Sequence, residues 1–282
     1  MLAHDQSTNM HRSRHFNPLK IFRGSLNYRE LLALLIRREV VGRYRGSLMG
    51  LAWSFFHPLL MLFVFTIFFS VVFKARWGTA SSTTGEFAAN VFLGLILHGF
   101  LAECINRAPT LVIANANFVK KVVFPLEVLP IVALGAALFH MAISFLVLVA
   151  MLPLLGMQLH WTIVLLPLVM VPLALLVLGI SWMLAALGVF ARDVAQVTGV
   201  LTSVLLFASP VFYPSSALPE KFQPFLKLNP LTYPIEQGRA LVLEGGGISG
   251  PGLSLYTLAA IAVAWAGFAF FQRARDGFAD VV

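Results

Sequence analysis

The sequence predicts an all-α polytopic membrane protein with six transmembrane helices per chain. Three observations predict it. Of the 282 residues, 59% are hydrophobic and only 11% charged, where a soluble domain carries about 25% charged residues. Mean hydropathy is +0.86, so the excess apolar surface needs a solvent other than water. Several apolar runs approach the ~20 residues that cross ~30 Å of hydrocarbon at ~1.5 Å each.

The first predicted span runs from about Leu51 to Phe73 and is rich in Phe. The second, about Phe87 to Ile105, is the most polar. The third covers about Val128 to Leu155 and the fourth about Thr162 to Phe190. Both are long and hold Pro130, Pro153, Pro167 and Pro172, which a span tolerates where neighbouring helices satisfy the freed carbonyls. The fifth runs from about Val197 to Tyr213 and the sixth from about Gly252 to Phe271. Between them, the stretch from Pro214 to Gly250 is too long for a turn. It holds two apolar pieces, around Leu218 to Leu228 and Leu231 to Leu243. Each is too short to cross and reads as a re-entrant or interfacial helix. Residues 1–27 form a basic segment without an apolar run, which argues against a cleaved signal peptide. The rest, 28–282, reads as one transmembrane domain.

The net charge of +8 raises the question of nucleic acid. Its distribution answers no, because the basic residues sit between apolar spans, where they act as orientation signals and contacts to anionic lipid. With six spans, fifteen Lys and Arg fall on the side of the N-terminal segment and five on the other. Both termini are therefore expected in the cytoplasm. The only cysteine is Cys104, so no intrachain disulfide and no cysteine metal cluster is expected.

The chain holds no G-x-x-x-x-G-K-[ST] phosphate loop and no H-E-x-x-H spacing. Its acidic residues are scattered, so no paired-carboxylate site can be read. No catalytic residue, metal site or cofactor is expected on this chain. Work against a gradient must draw on an ion or a partner.

The stretch from Tyr28 to Trp53 is the most informative. A basic helix just before a span rests at the inner headgroup level. Orientation and lipid anchoring explain any single arginine. A sharper reading is that Arg37, Arg38, Arg43 and Arg45, with Tyr44, receive a pyrophosphate-bearing lipid, since the planar Arg fork donates two hydrogen bonds at once to phosphate. Inside the spans stand Asn90, His98, Glu103 and His140, with Asn115 near an end. Glu103 is expected to reach water or pair with Arg107 one turn on. His140 reads as a packing residue. A proton-driven carrier needs several such groups at mid-membrane, and these read as few and mostly near ends. The aromatics Phe65 and Phe69, and Phe207, Phe212 and Tyr213, lie toward outer ends of spans one and five. Interfacial belts explain them; rings lining a sugar path explain them equally well. In the cytoplasmic piece from Asn117 to Glu127, Phe118 and Phe124 can return to the interface or fill a groove on a soluble partner, with Lys120 and Lys121 on the rim.

Four pieces together resemble one family. They are RREVVGRYRGSLMGLAWSFFHP from Arg37, NFVKKVVFPLEVLP from Asn117, ARDVAQVTGVLTSVLLFASPVFYP from Ala191, and NPLTYPIEQGRAL from Asn229 with the tail FQRARDGFADVV. From about Asn27 onward the chain resembles the membrane subunit of type 2 ATP-binding-cassette polysaccharide exporters. SPVFY at Ser209 and the GFADVV tail look most like O-antigen permeases; capsule and teichoic-acid permeases share the plan. The resemblance implies a homodimer in the inner membrane, served by two separate ATPase subunits that carry the ATP and magnesium. It implies a substrate glycan on undecaprenyl diphosphate, exported to the periplasm. The helix from Tyr28 to Arg45 would be the interface helix. Asn117, Phe118, Lys120, Lys121 and Phe124 would couple to the ATPase. The short helices between Pro214 and Leu243 would be gate helices at the exit. An ion-coupled carrier is the alternative from another class.

Overall fold

The computed structural model describes residues 29–68, 77, 84–119 and 124–281. Among these residues every regular element is a helix, with no strand. Helix α1 (Arg29–Tyr44) precedes α2 (Trp53–Ile67) and α3 (Thr84–Arg107). Two short helices follow, α4 (Leu111–Ala114) and α5 (Ala116–Val119), then α6 (Val128–Met151), α7 (Leu166–Phe190) and α8 (Val194–Ala208). The chain closes with α9 (Gln223–Leu228), α10 (Thr232–Val242), α11 (Gly250–Arg275) and α12 (Phe278–Val281).

Five helical stretches are long and apolar enough to cross a membrane: Gly50–Ile67, Gly85–Ala114, Val128–Met151, Trp161–Phe190 and Gly250–Arg275. They overlap predicted spans one to four and six; the predicted end of the first, residues 69–73, lies outside the described residues, and the third stops at Met151. The predicted fifth span differs. Its helix α8 has 15 residues and ends at Ala208, not Tyr213. Pro210 explains the stop, because the residue before a proline is pushed out of the helical region. Ser209 is accordingly extended, at φ −92° and ψ 154°. Proline also sorts the other ends. Pro167 opens α7, Pro153 lies in the 3-10 turn that follows α6, and Pro172 is interior.

Helix α3 is the central element and is almost wholly buried, whereas α2 and α11 lie outside. Helices α7 and α11 make the closest crossing. A Cβ on Gly267 would stand 2.0 Å from the Gly179 carbonyl oxygen, and one on Gly179 would stand 2.6 Å from Ala264 Cα. Only glycine lets the two backbones approach so closely. Trp182 stacks edge-on against Phe268 at 5.2 Å and donates its Nε1–H to the Glu127 carbonyl at 3.0 Å. Arg275 pairs with the Glu127 carboxylate at 3.0 Å. These contacts fix the end of α11 to the start of α6.

The basic helix α1 packs along α6, with Val40 buried and Ile36 against Gly135. The segment from Pro214 to Leu243 folds into two short 3-10 turns, α9 and α10. Helix α10 is well buried against α3 and α7.

Candidate functional site

Four helices line an open-sided cavity of about 550 Å³. Helix α2 supplies Trp53, His57, Met61 and Phe65, spaced every four residues down one face. Helix α3 supplies Phe92, Ile96, Gly99, Phe100 and Glu103. Helix α6 adds Ala137, His140, Met141 and Ser144, and Arg43 and Tyr44 reach in from the last turn of α1. One end is therefore polar, with Arg43 facing Glu103 and His140, while the long walls are apolar and aromatic. A site of that make-up fits an amphiphile with a polar head.

The polar end is a contact network. Arg43 Nη1 donates to Glu103 Oε1 at 2.5 Å and stands 3.0 Å from His140 Nδ1. His140 Nδ1 also lies 3.0 and 3.2 Å from the two Glu103 oxygens. The His140 Nε2 is buried with no hydrogen-bond partner among the described residues. Tyr44 meets the His140 ring edge-on at 5.9 Å. Partial burial pushes the Tyr44 hydroxyl's pKa up; the Arg43 charge opposes this and Glu103 reinforces it. The phenol therefore stays a hydrogen-bond donor at neutral pH.

Glu103 lies four residues before the end of α3 at Arg107, and His140 twelve residues after the start of α6 at Val128. At ~1.5 Å per residue Glu103 stands roughly 6 Å from its helix end, as expected, and His140 roughly 18 Å from the start of its own. The contacts correct two readings of the sequence. Glu103 and His140, read as separate residues, are in contact across two helices. Arg107 does not pair with Glu103; it pairs with Glu39 of α1. Helix α1 brings its own charges to the bundle, and the long-range pairs displace the local one.

Of the arginines expected to meet lipid diphosphate, Arg43 lines the cavity, and Tyr44 with it. Arg37, Arg38 and Arg45 are exposed and do not line it. Among the expected gate aromatics, Phe65 is in the cavity wall. Phe207 and Phe212 form a separate ring pair at 5.8 Å, and the Tyr213 hydroxyl donates to the Phe207 carbonyl at 3.2 Å. Phe69 lies outside the described residues. On the expected coupling segment, Asn117 is exposed in α5 and Phe124 packs against the core. Phe118 is in α5 as well, while Lys120 and Lys121 lie outside the described residues, as do residues 1–27.

Two features escaped the sequence reading. His57 belongs to the cavity stripe of α2, and its four-residue spacing from Trp53 and Met61 was the available signal. The second is Arg239 of α10, buried to 4% exposure. Its Nε and Nη2 donate to the Asn90 carbonyl at 3.2 and 3.0 Å, and Nη2 also to the Val211 carbonyl at 3.0 Å. The guanidinium sits 4.3 Å over the Trp77 ring. Burial pulls its pKa down, to about 9, against the pull of Glu236 and Glu244, so the group is still charged at neutral pH. Arg239 thus ties α10 to α3 and to the stretch that leaves α8. Asn229 does similar work, donating Nδ2–H to the Ala208 carbonyl at 3.1 Å and accepting from Leu231 N–H at 2.9 Å.

Residues 30–243 match the family described as ABC-2 type transporter. The chain belongs to the ABC-2 type transporter family. It is 26% identical over 266 residues to the O-antigen export system permease protein RfbA of Myxococcus xanthus, across 94% of this chain and 100% of that protein. It is 25% identical over 255 residues to a protein of the same name from Klebsiella pneumoniae, across 90% of this chain and 95% of that one. As an ABC-2 membrane protein with five such apolar helices, the chain is a multi-pass transport subunit. Family membership implies an ABC ATPase as its partner.

Proposed function

We propose that this ABC-2 membrane protein is the permease half of an ATP-driven exporter for polysaccharide linked to undecaprenyl diphosphate, O-antigen first among such glycans. The observation that carries the reading is the near full-length match to proteins named O-antigen export permeases. The cavity supports it, because the half-exposed Arg43 at one end and the aromatic walls suit a diphosphate head on an apolar chain. Export runs from the cytoplasm to the periplasm. A capsular or teichoic-acid glycan of the same lipid-linked type is the alternative cargo.

In this reading two copies pair in the inner membrane, and two ATPase subunits bind their cytoplasmic face and hold the ATP and magnesium. This chain carries no cofactor and performs no hydrolysis. Residues 28–282 form one domain of six crossings. Helix α8 with the stretch to Tyr213 is the fifth, and both termini lie in the cytoplasm. Helix α1 is the interface helix at the inner leaflet, and α9 and α10 form the gate at the exit. The stretch from Asn117 to Phe124, with Phe118, Lys120 and Lys121, docks on the ATPase. The Phe207, Phe212 and Tyr213 group, with Phe69, borders the glycan path. The basic segment 1–27 receives no role.

The contact of Arg43, Glu103 and His140 is a cluster of ionisable groups that an ion-coupled carrier would also need. The family match still favours ATP. Co-expression with the cognate ATPase tests the reading. The two should co-purify, and the complex's ATP hydrolysis should rise when lipid-linked glycan is added. Hydrolysis indifferent to that glycan would refute the cargo assignment.

A further inference from the structure

We infer that Glu103 is a built-in anion that occupies Arg43 until a diphosphate headgroup displaces it, and that His140 then takes Glu103 over. The inference rests on the lipid-diphosphate reading of the cavity. Its basis is an over-subscribed contact. Arg43 Nη1 has two acceptors in reach, Glu103 Oε1 at 2.5 Å and His140 Nδ1 at 3.0 Å. His140 Nδ1 in turn has both Glu103 oxygens in reach, at 3.0 and 3.2 Å. When Nδ1 carries a proton it donates to Glu103, and when it does not it accepts from Arg43. It cannot serve both.

Exposure gives the exchange a direction. The Glu103 and His140 side chains are each 15% exposed, and that of Arg43 is 52% exposed. An anion can therefore reach Arg43 from the open side while Glu103 stays in place. Removing the partner of a buried carboxylate is costly, because the charge is left unpaired. Here that cost is reduced, since His140 already lies within hydrogen-bond distance of both carboxylate oxygens. A phosphate gains the same charge-assisted bonds from Arg43 that Glu103 gives up. The cluster is thus a holder for the arginine that lets go to phosphate and resists a ligand without it.

The test is equilibrium binding to the purified full chain in detergent, with farnesyl diphosphate, farnesol and inorganic pyrophosphate as separate probes. Glu103→Gln should bind farnesyl diphosphate about tenfold more tightly than wild type. His140→Phe should bind it several-fold more weakly, since Glu103 then has only Arg43. Arg43→Gln should lose binding. Opposite shifts from two touching neighbours are not expected of residues that only hold the fold. Glu103 and His140 variants shifting in the same direction, or Arg43→Gln binding normally, would overturn the inference. So would farnesol binding as well as farnesyl diphosphate, or no probe binding either wild type or Glu103→Gln. Pyrophosphate binding as tightly as farnesyl diphosphate, with the same opposite shifts, supports the exchange and refutes the lipid reading alone. Should Glu103→Gln fail to purify as a single species, Glu103→Asp shortens the reach to Arg43 and should tighten binding to a smaller degree; no tightening would overturn the inference.

Discussion

Gly99 offers a way to close the cavity without harming the fold. It lies in the interior of α3 and lines the cavity, and a Cβ built on it meets nothing within 4 Å among the described residues. Replacing a glycine in a helix interior by alanine gains about 1 kcal/mol from the lost freedom of the unfolded chain. Gly99→Ala should therefore raise the melting temperature of the purified protein. Gly99→Leu extends further, toward the apolar walls formed by Phe65 and Ile96. Its four side-chain carbons, at ~0.8 kcal/mol per buried CH₂, add up to about 3 kcal/mol if they reach those walls. The leucine variant should thus be at least as stable as wild type while occupying the space the lipid head and first chain carbons need. Export should fall about tenfold or more, corresponding to ~1.4 kcal/mol of lost ligand binding. Thermal melting and ATP-dependent glycan export in proteoliposomes read the two effects separately. Destabilised Gly99 variants would mean that the space is not open. Stable variants with undiminished export would mean that the cavity is not on the path.

Gly267 predicts the opposite sign for the same kind of change. A Cβ there lands 2.0 Å from the Gly179 carbonyl oxygen, and carbon–oxygen contacts need about 3.3 Å or more, so α11 must withdraw from α7. Gly267→Ala should destabilise by about 1–3 kcal/mol in the same melting assay. At Arg239, lysine should be a worse replacement than methionine. Lysine keeps the buried charge but loses the fork that spans the Asn90 and Val211 carbonyls, whereas methionine removes the charge and its desolvation cost together. Hydrogen exchange across residues 232–242 should rise more in Arg239→Lys, and the reverse order would contradict the account. Glutamine at Arg37, Arg38 and Arg45 together should leave farnesyl diphosphate binding intact, in contrast to Arg43→Gln, because the three do not line the cavity.

Span positions were legible because crossing hydrocarbon imposes a length and a composition that can be counted along the chain. The end of α8 was legible too, since Pro210 fixes it, but the apolar run through Val211 and Phe212 masked the signal. The stripe of Trp53, His57, Met61 and Phe65 is a local spacing and could be read. The union of Glu103 with His140 could not. They are 37 residues apart on two helices, and periodicity gives the face of each helix but not the face it meets. The same holds for Arg43, whose partners depend on how α1 lies along α6. The basic helix was legible as a helix, and of its four arginines Arg43 is the one that lines the cavity, because one helix face can turn only some of them inward.

The central claim is that this chain moves a lipid-linked glycan with power supplied by a separate ATPase. Proteoliposomes holding the chain and its cognate ATPase, loaded with undecaprenyl-diphosphate-linked glycan on the ATP side, measure it directly. The account predicts that glycan reaches the far side only when chain, ATPase and hydrolysable ATP are all present. Glycan crossing with the chain alone, or none crossing when all three are present and ATP is being hydrolysed, would contradict it.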